Sequence, residues 1–196
     1  MFAPLPQSMA ACCPPCGSVA SASIERAPMP MGMRGIGTGM PTSTKFEPSD
    51  VATLRERIGT IVGRSRWRVI DQVMIDQFAD LICDHQYIHV DPERAKETPY
   101  GTTVAHGFLN LSILGGLAGE VAPRVIGTVM GVNYGFDRVR FVAPVRSGHQ
   151  VRATLVLKEV EQRDEKTVAI LYETTLEVDD EDKPAIVALW RVRAFL

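Results

Sequence analysis

V-A-H-G-F-L-N-L-S-I-L-G-G-L-A-G-E-V, residues Val104–Val121, is a run broken after its opening His-Gly only by Asn110, Ser112 and Glu120. A helix so nearly apolar all round has to be buried on most of its sides. Gly115, Gly116 and Gly119 near its end let another backbone pack closely. Beyond Pro123 the apolar period changes from 3.6 to 2, and Thr128–Tyr134, Arg138–Val142, Val151–Val160, Val168–Val178 and Ala185–Phe195 read as strands. In Val168–Val178, Val168, Ile170, Tyr172, Thr174, Leu176 and Val178 share one face. The charged turns Gln162–Lys166 and Asp179–Lys183 separate the last three strands, which predicts an antiparallel meander. One buried helix followed by an antiparallel sheet long enough to wrap it is an α+β layer arrangement.

Upstream of that helix the signals are shorter. Val51, Leu54 and Ile58 give Val51–Ile58 a weak helical period, and Arg66–Ile70 reads as a short strand with Trp67 and Val69 on one side. Asp71 can cap the next helix, in which Ile75, Phe78, Ala79 and Ile82 share a face. Asp84 then falls at the helix end, where the partial negative charge of the C-terminus disfavours a carboxylate. That local mismatch points to a role other than helix stability. Asp91 before Pro92 supplies an N-cap and a first-position proline, so Pro92–Lys96 is expected to be a short helix, followed by a turn-rich link over Thr98–Thr103.

The chemistry is concentrated in Cys83–Leu114, which holds three of the four histidines. Asp84 and His89 stand five residues apart where the amphipathic pattern stops, so a loop can fold the carboxylate and the imidazole back toward each other. His89 lies between Ile88 and Val90, and burial beside a carboxylate would tune it toward neutral pH. His106 and Gly107 open the apolar helix, whose first N–H groups have no partner within the helix and can receive a polarised oxygen. An acid/base pair beside such a donor is what proton transfer next to a carbonyl requires. The plainer readings are a structural Asp84–His89 hydrogen bond and a Gly107 that merely eases the chain into a crowded helix. His85 and His89 have the i, i+4 spacing of two zinc ligands, but position 86 is Gln rather than the Glu of the protease pattern, and no third ligand follows. No metal is therefore expected. His149 sits in a turn and is assigned to solvent. Arg138 and Arg140 alternate with Val139 and Phe141, as on a solvated strand face.

D-H-Q-Y-I-H-V-D-P-E-R followed by A-H-G-F-L resembles the MaoC-like, R-specific enoyl-CoA hydratase family, and within it the NodN-like branch. The resemblance covers roughly Phe46–Leu196. It implies a hot-dog fold, in which the sheet curls around the central helix, and hydration of a trans-2-enoyl-CoA to the R-3-hydroxyacyl product or the reverse, in fatty acid metabolism. It implies Asp84 and His89 as the catalytic pair, Gly107 as the backbone donor to the thioester oxygen, and Gln86 and His106 as supporting residues. Arg138 and Arg140 become candidates for the CoA phosphates. No cofactor is implied beyond the CoA of the substrate, and the family's side-by-side pairing implies a homodimer. The apolar, lightly charged Thr128–Tyr134 gives an independent reason for pairing, as an edge strand that invites association. Three departures bear on the substrate: Gln86 and Tyr87 replace Asn-Pro, Gly115 replaces a serine, and Asp137 replaces an asparagine. Gln86, Tyr87 and Gly115 keep open a non-catalytic acyl-CoA-binding protein, and a thioesterase on the same fold is a further alternative.

The 196 residues suffice for one domain with a tail. A net charge of -2 argues against a nucleic-acid partner, and no apolar run is long enough to span a bilayer. Residues 1–45 read as a low-complexity leader and 46–196 as the domain. Up to Thr44 the only charges are Glu25, Arg26 and Arg34, too little patterning to form a core. Cys12, Cys13 and Cys16 lie close together without a second ligand cluster and read as incidental thiols. A secretory signal is disfavoured by the prolines and the uncharged start, whereas a transit peptide and a start at Met40 both stay open. The expected location is cytoplasmic.

Overall fold

A computed structural model describes residues 47–196. The leader, its cysteines and Met40 lie outside the described residues. Asp50 opens the first helix, α1 (Val51–Glu56), by accepting from the Thr53 N–H at 2.7 Å. Two short strands follow, β1 (Ile61–Arg64) and β2 (Arg68–Val69). Asp71 caps α2 (Gln72–Ile82) as its position predicts, accepting from Met74 N–H at 2.9 Å. Ile75 and Ala79 of that helix are buried, while Ile82 is exposed.

Two four-residue helices come next, α3 (Tyr87–Val90) and α4 (Pro92–Ala95), the latter capped by Asp91 onto Arg94 N–H. The apolar run forms α5 (Gly107–Val121), which starts three residues later than its composition suggests. Val104 instead makes an isolated antiparallel bridge with Arg146. Then come the long strands β3 (Met130–Phe141), β4 (Gln150–Asp164), β5 (Thr167–Val178) and β6 (Ile186–Phe195).

The sheet order is β1-β4-β5-β6-β3, antiparallel at every step, with β2 also on β4. Since β1 pairs with Val156–Thr154 and β2 with Val151–Gln150, the two short strands lie end to end along one edge of β4. β3 is the opposite edge. The expected strands Thr128–Tyr134 and Arg138–Val142 are thus one strand, interrupted by bulges at Asn133/Gly135 and Phe136/Arg138 that break the alternation in sequence. Bulges also interrupt the β4–β5 register, and each bends its strand and sharpens the twist.

Val168, Ile170, Tyr172, Thr174, Leu176 and Val178 all face inward, as their period requires. They share the core with Leu109, Ile113, Leu114, Leu117 and Val121 of α5, which packs against β1, β4 and β5. The closest approach is at Gly63, where a Cβ would stand 2.7 Å from the Val121 carbonyl oxygen. Only glycine lets the β1 backbone meet the end of α5 there. A long buried helix held in a bent antiparallel sheet is the hot-dog fold. Among the described residues no helix is long and apolar enough to cross a membrane.

Candidate active site

The end of α2 sets the site. Cys83 takes the left-handed conformation, φ 57°, and the Cys83 and Asp84 N–H groups both turn back to the Ala79 carbonyl. A side chain with a Cβ adopts this geometry at a cost of about 1 kcal/mol. The consequence is that Asp84 leaves the helix, exposed, with its Oδ1 accepting the Gln86 N–H at 3.3 Å.

The chain then winds through α3, in place of the open loop expected, and delivers His89 to the interior at 8% exposure. Its Nδ1 lies 2.6 Å from the Val104 carbonyl. A carbonyl can only accept, so Nδ1 carries the proton and Nε2 holds a lone pair. Val104 returns its own N–H to the Ile88 carbonyl at 2.9 Å.

His106 stacks on His89 with ring centroids 3.8 Å apart and planes 25° apart, and Phe78 packs against it at 5.4 Å. Its Nε2–H donates to the Asp84 carbonyl at 3.0 Å, which leaves a buried Nδ1 with no partner among the described residues. Burial is the main cause holding the His89 pKa below the ordinary imidazole value, with the neighbouring His106 adding to it; the Val104 bond and the Asp84 charge act against them. Near physiological pH His89 is therefore a neutral imidazole.

Gly107 follows at the first position of α5, and His106 supplies no side-chain cap. Among the described residues the first-turn N–H groups therefore have no capping side chain, and they follow directly on the His106 end of the stacked imidazoles. A Cβ on Gly107 would sit 3.1 Å from the Phe141 ring, so both accounts of this glycine, crowding and an accessible N–H, have a physical basis.

The other expected residues divide. Gln86 contributes through its backbone, donating to Asp84 and accepting from the His89 N–H at 2.9 Å; its exposed carboxamide makes no hydrogen bond among the described residues. His85 pairs with Asp80 at 2.8 Å instead of joining His89. Asp84, His89 and His106 do bring ligand-type atoms within 4.8 Å of one another. Stacked imidazoles, however, direct their lone pairs along nearly parallel planes, which does not suit a tetrahedral cation.

Arg138 and Arg140 are exposed and have no acidic partner among the described residues; Arg140 donates only to the Val139 carbonyl. No described contact joins either to Asp84, His89 or Gly107. Asp137 holds Arg191 through both carboxylate oxygens, at 2.7 and 2.8 Å from Nε. His149 corrects its assignment to solvent, since it is half-buried and paired with Asp179 at 3.2 Å.

Sequence reasoning missed Gln72 and Thr103. The Gln72 carboxamide donates to the His89 carbonyl and to Asp76 Oδ1, each at 2.7 Å, and accepts from Thr103 Oγ at 2.5 Å. A glutamine in the first turn of a helix and a threonine in a turn-rich link carry no local signal for this. Asn110 was noted only as a break in the run; it is buried with its Oδ1 unpartnered.

A hot-dog fold whose site joins an Asp, a tautomer-fixed His and a helix N-terminus defines a structural class. Comparison places the chain within it: the MaoC like domain profile matches residues 53–179, and the chain belongs to the MaoC-like dehydratase family. It is 46% identical to Nodulation protein N of Rhizobium leguminosarum bv. viciae over 141 residues, covering 71% of this chain and 88% of that protein. It is 47% identical to 3-hydroxyacyl-thioester dehydratase Z of Mycobacterium tuberculosis, over 70% of this chain and 91% of that one. The solved structure of a monoamine oxidase regulatory protein from Archaeoglobus superposes with a TM-score of 0.64 at 27% identity, covering 76% of this chain and 95% of that one.

Proposed function

We propose that the protein adds water across a trans-2-enoyl-CoA to give the R-3-hydroxyacyl-CoA, or catalyses the reverse dehydration. The observation that carries this is the His89 imidazole, whose Nε2 lone pair is fixed by the Nδ1–Val104 bond and whose ring stacks on His106 with Asp84 close by. In this reading the thioester oxygen sits on the Gly107 N–H. Asp84 and His89 hold the water, one of them takes a proton as the water oxygen bonds to C3, and the pair returns a proton to C2 as the enolate collapses. A donor at the developing enolate oxygen contributes about 3 kcal/mol. The addition is redox-neutral and consumes no cofactor. The activity named for the mycobacterial relative, on a 3-hydroxyacyl thioester, supports the substrate class.

We also propose that it works as a homodimer paired through β3, the edge strand on which Met130, Val132 and Tyr134 are exposed. Light scattering should give twice the 21.5 kDa chain mass; a monomer with full activity refutes the pairing. The activity test is a panel of enoyl-CoA chain lengths scored for loss of the conjugated thioester absorbance and for free thiol. Hydration without thiol release is expected. Thiol release would make the protein a thioesterase, and binding without turnover an acyl-CoA-binding protein; either overturns the proposal.

A further inference from the structure

His89 is held by a closed circuit of hydrogen bonds. The imidazole Nδ1–H reaches the Val104 carbonyl at 2.6 Å, Val104 is bonded covalently to Thr103, Thr103 Oγ donates to Gln72 Oε1 at 2.5 Å, and Gln72 Nε2 donates to the His89 carbonyl at 2.7 Å. The carboxamide orientation is determined by its partners. Turned over, its oxygen would face the Asp76 carboxylate and the His89 carbonyl, two acceptors, and its NH₂ would meet the Thr103 hydroxyl. Thr103 is 1% exposed and His89 8% exposed, so leaving the hydroxyl or the carbonyl unpaired there is costly.

Each end of the circuit is anchored on a different element. Gln72 is the first residue of α2, the Thr103 carbonyl accepts the Ser147 N–H at 2.9 Å, and the Ala105 N–H reaches the Val145 carbonyl at 2.8 Å. Between these anchors hangs α3, four residues long, too short to hold its own geometry in water.

We propose that Gln72, gripped by Thr103, is the positioning residue of the active site: it fixes where α3 stands against the Thr103–Val104 segment, and so which ring nitrogen of His89 carries the proton. Its role in turnover rests on the hydratase reading above. Its role in setting the tautomer does not. Without the circuit the His89 carbonyl and the Thr103 hydroxyl lose their partners, α3 shifts to find others, and the Nδ1–Val104 bond no longer holds the lone pair on Nε2.

Thr103→Val removes one hydroxyl at nearly constant volume, and Thr103→Ser keeps it; Gln72→Met is a second variant that keeps the length and apolar stem. Two readouts apply: steady-state kinetics on an enoyl-CoA that the parent hydrates, and ¹⁵N shifts of the labelled His89 imidazole. Thr103→Val and Gln72→Met should lower kcat by ~10- to 100-fold, the cost of a misplaced catalytic group, with KM within about twofold. Both should turn a single Nδ1–H tautomer into a mixture, and Thr103→Ser should restore parent behaviour. Folded variants with a lower melting temperature but unchanged kcat and an unchanged tautomer would show that Gln72 is only structural. A parent that turns over no enoyl thioester defeats the functional reading alone, and the ¹⁵N shifts still decide the positioning role.

Discussion

Gly107→Ala separates the two accounts of the His-Gly turn. Gly107 has no positive φ, so alanine fits its backbone, and helix propensity favours the change by about 1 kcal/mol. The new methyl would stand 3.1, 3.2 and 3.4 Å from Cε1, Cδ1 and Cζ of Phe141. Those contacts are a few tenths of an ångström too close. Phe141 is 50% exposed and meets Phe108 edge-on at 6.0 Å, so it can yield outward; the cost belongs at the low end of overpacking, about 1 kcal/mol. The two terms cancel, and the melting temperature should stay near that of the parent. Activity should not. A ring pushed by a few tenths of an ångström beside the Gly107 N–H disturbs the seat of the thioester oxygen, and with ~100-fold per ångström of misplacement as a guide, kcat/KM should fall about 10-fold. The mechanism can be isolated with Phe141→Leu, which removes the atoms the methyl meets. In the double variant the effects should be non-additive by roughly 1 kcal/mol, since about 1.4 kcal/mol corresponds to tenfold. Melting curves and enoyl-CoA hydration by the four proteins make the cycle. Parent-like kcat/KM in Gly107→Ala, or strictly additive losses, would refute the argument and leave the glycine as a packing residue.

Gly63→Ala should destabilise by about 1 to 3 kcal/mol or more, because its Cβ meets the Val121 carbonyl at 2.7 Å and a helix backbone cannot yield; an unchanged melting temperature would contradict the β1–α5 approach. Asn110→Leu replaces a buried carboxamide with an unpartnered Oδ1 by an apolar group of similar size, and the urea midpoint should rise by the equivalent of about 1 to 3 kcal/mol. The His89 pKa is depressed in the folded protein, so its contribution to stability is complete above the ordinary imidazole pKa of 6.5 and is lost as pH falls through the lower folded value, where the unfolded chain already holds the proton. Urea midpoints between about pH 4 and 8 should therefore fall on acidification less steeply in His89→Gln than in the parent, and parallel curves would count against it.

Local chemistry and the β4–β5–β6 meander were legible in the sequence, and pairing between strands distant in the chain was not. Asp71 and Asp91 act within three residues of themselves, so their caps could be read directly. β1 could not be read, because Ile61–Arg64 is a strand only by virtue of its pairing with Thr154–Val156. The two bulges of β3 made one strand look like two. The α3 stretch reads as a loop because its four residues have little helical preference of their own; the His89 ring bond to Val104 and the Gln72 bond hold it. The site divides in the same way. Asp84 stood out as a carboxylate where a helix end disfavours one, and the left-handed Cys83 shows how the chain turns it away. Gln72 and Thr103 are 31 residues apart and meet only in the folded chain.

The two arginines join the homodimer and the CoA contact into one hypothesis. Along β3, Val139 and Phe141 stand opposite Ala188 and Ile186, which are buried, whereas Arg138 and Arg140 stand opposite Leu189 and Val187 on the outer face. Phe141 is the residue that reaches Gly107. Directly opposed residues share a face of a sheet, so both guanidinium groups point away from the side of the strand on which this chain's own thioester oxygen would sit. A phosphate contact by either therefore requires a carrier that crosses the sheet edge or a second chain that presents its own outer face. β3 is that edge, and Met130, Val132 and Tyr134 along it are exposed apolar side chains with one side of the backbone unpaired. Pairing two such edges about a two-fold axis would cover them and bring the arginines of each copy toward the other's site. If the chain proves monomeric, the second-chain route is lost with the interface, and a phosphate contact by either arginine then requires a carrier that crosses the sheet edge.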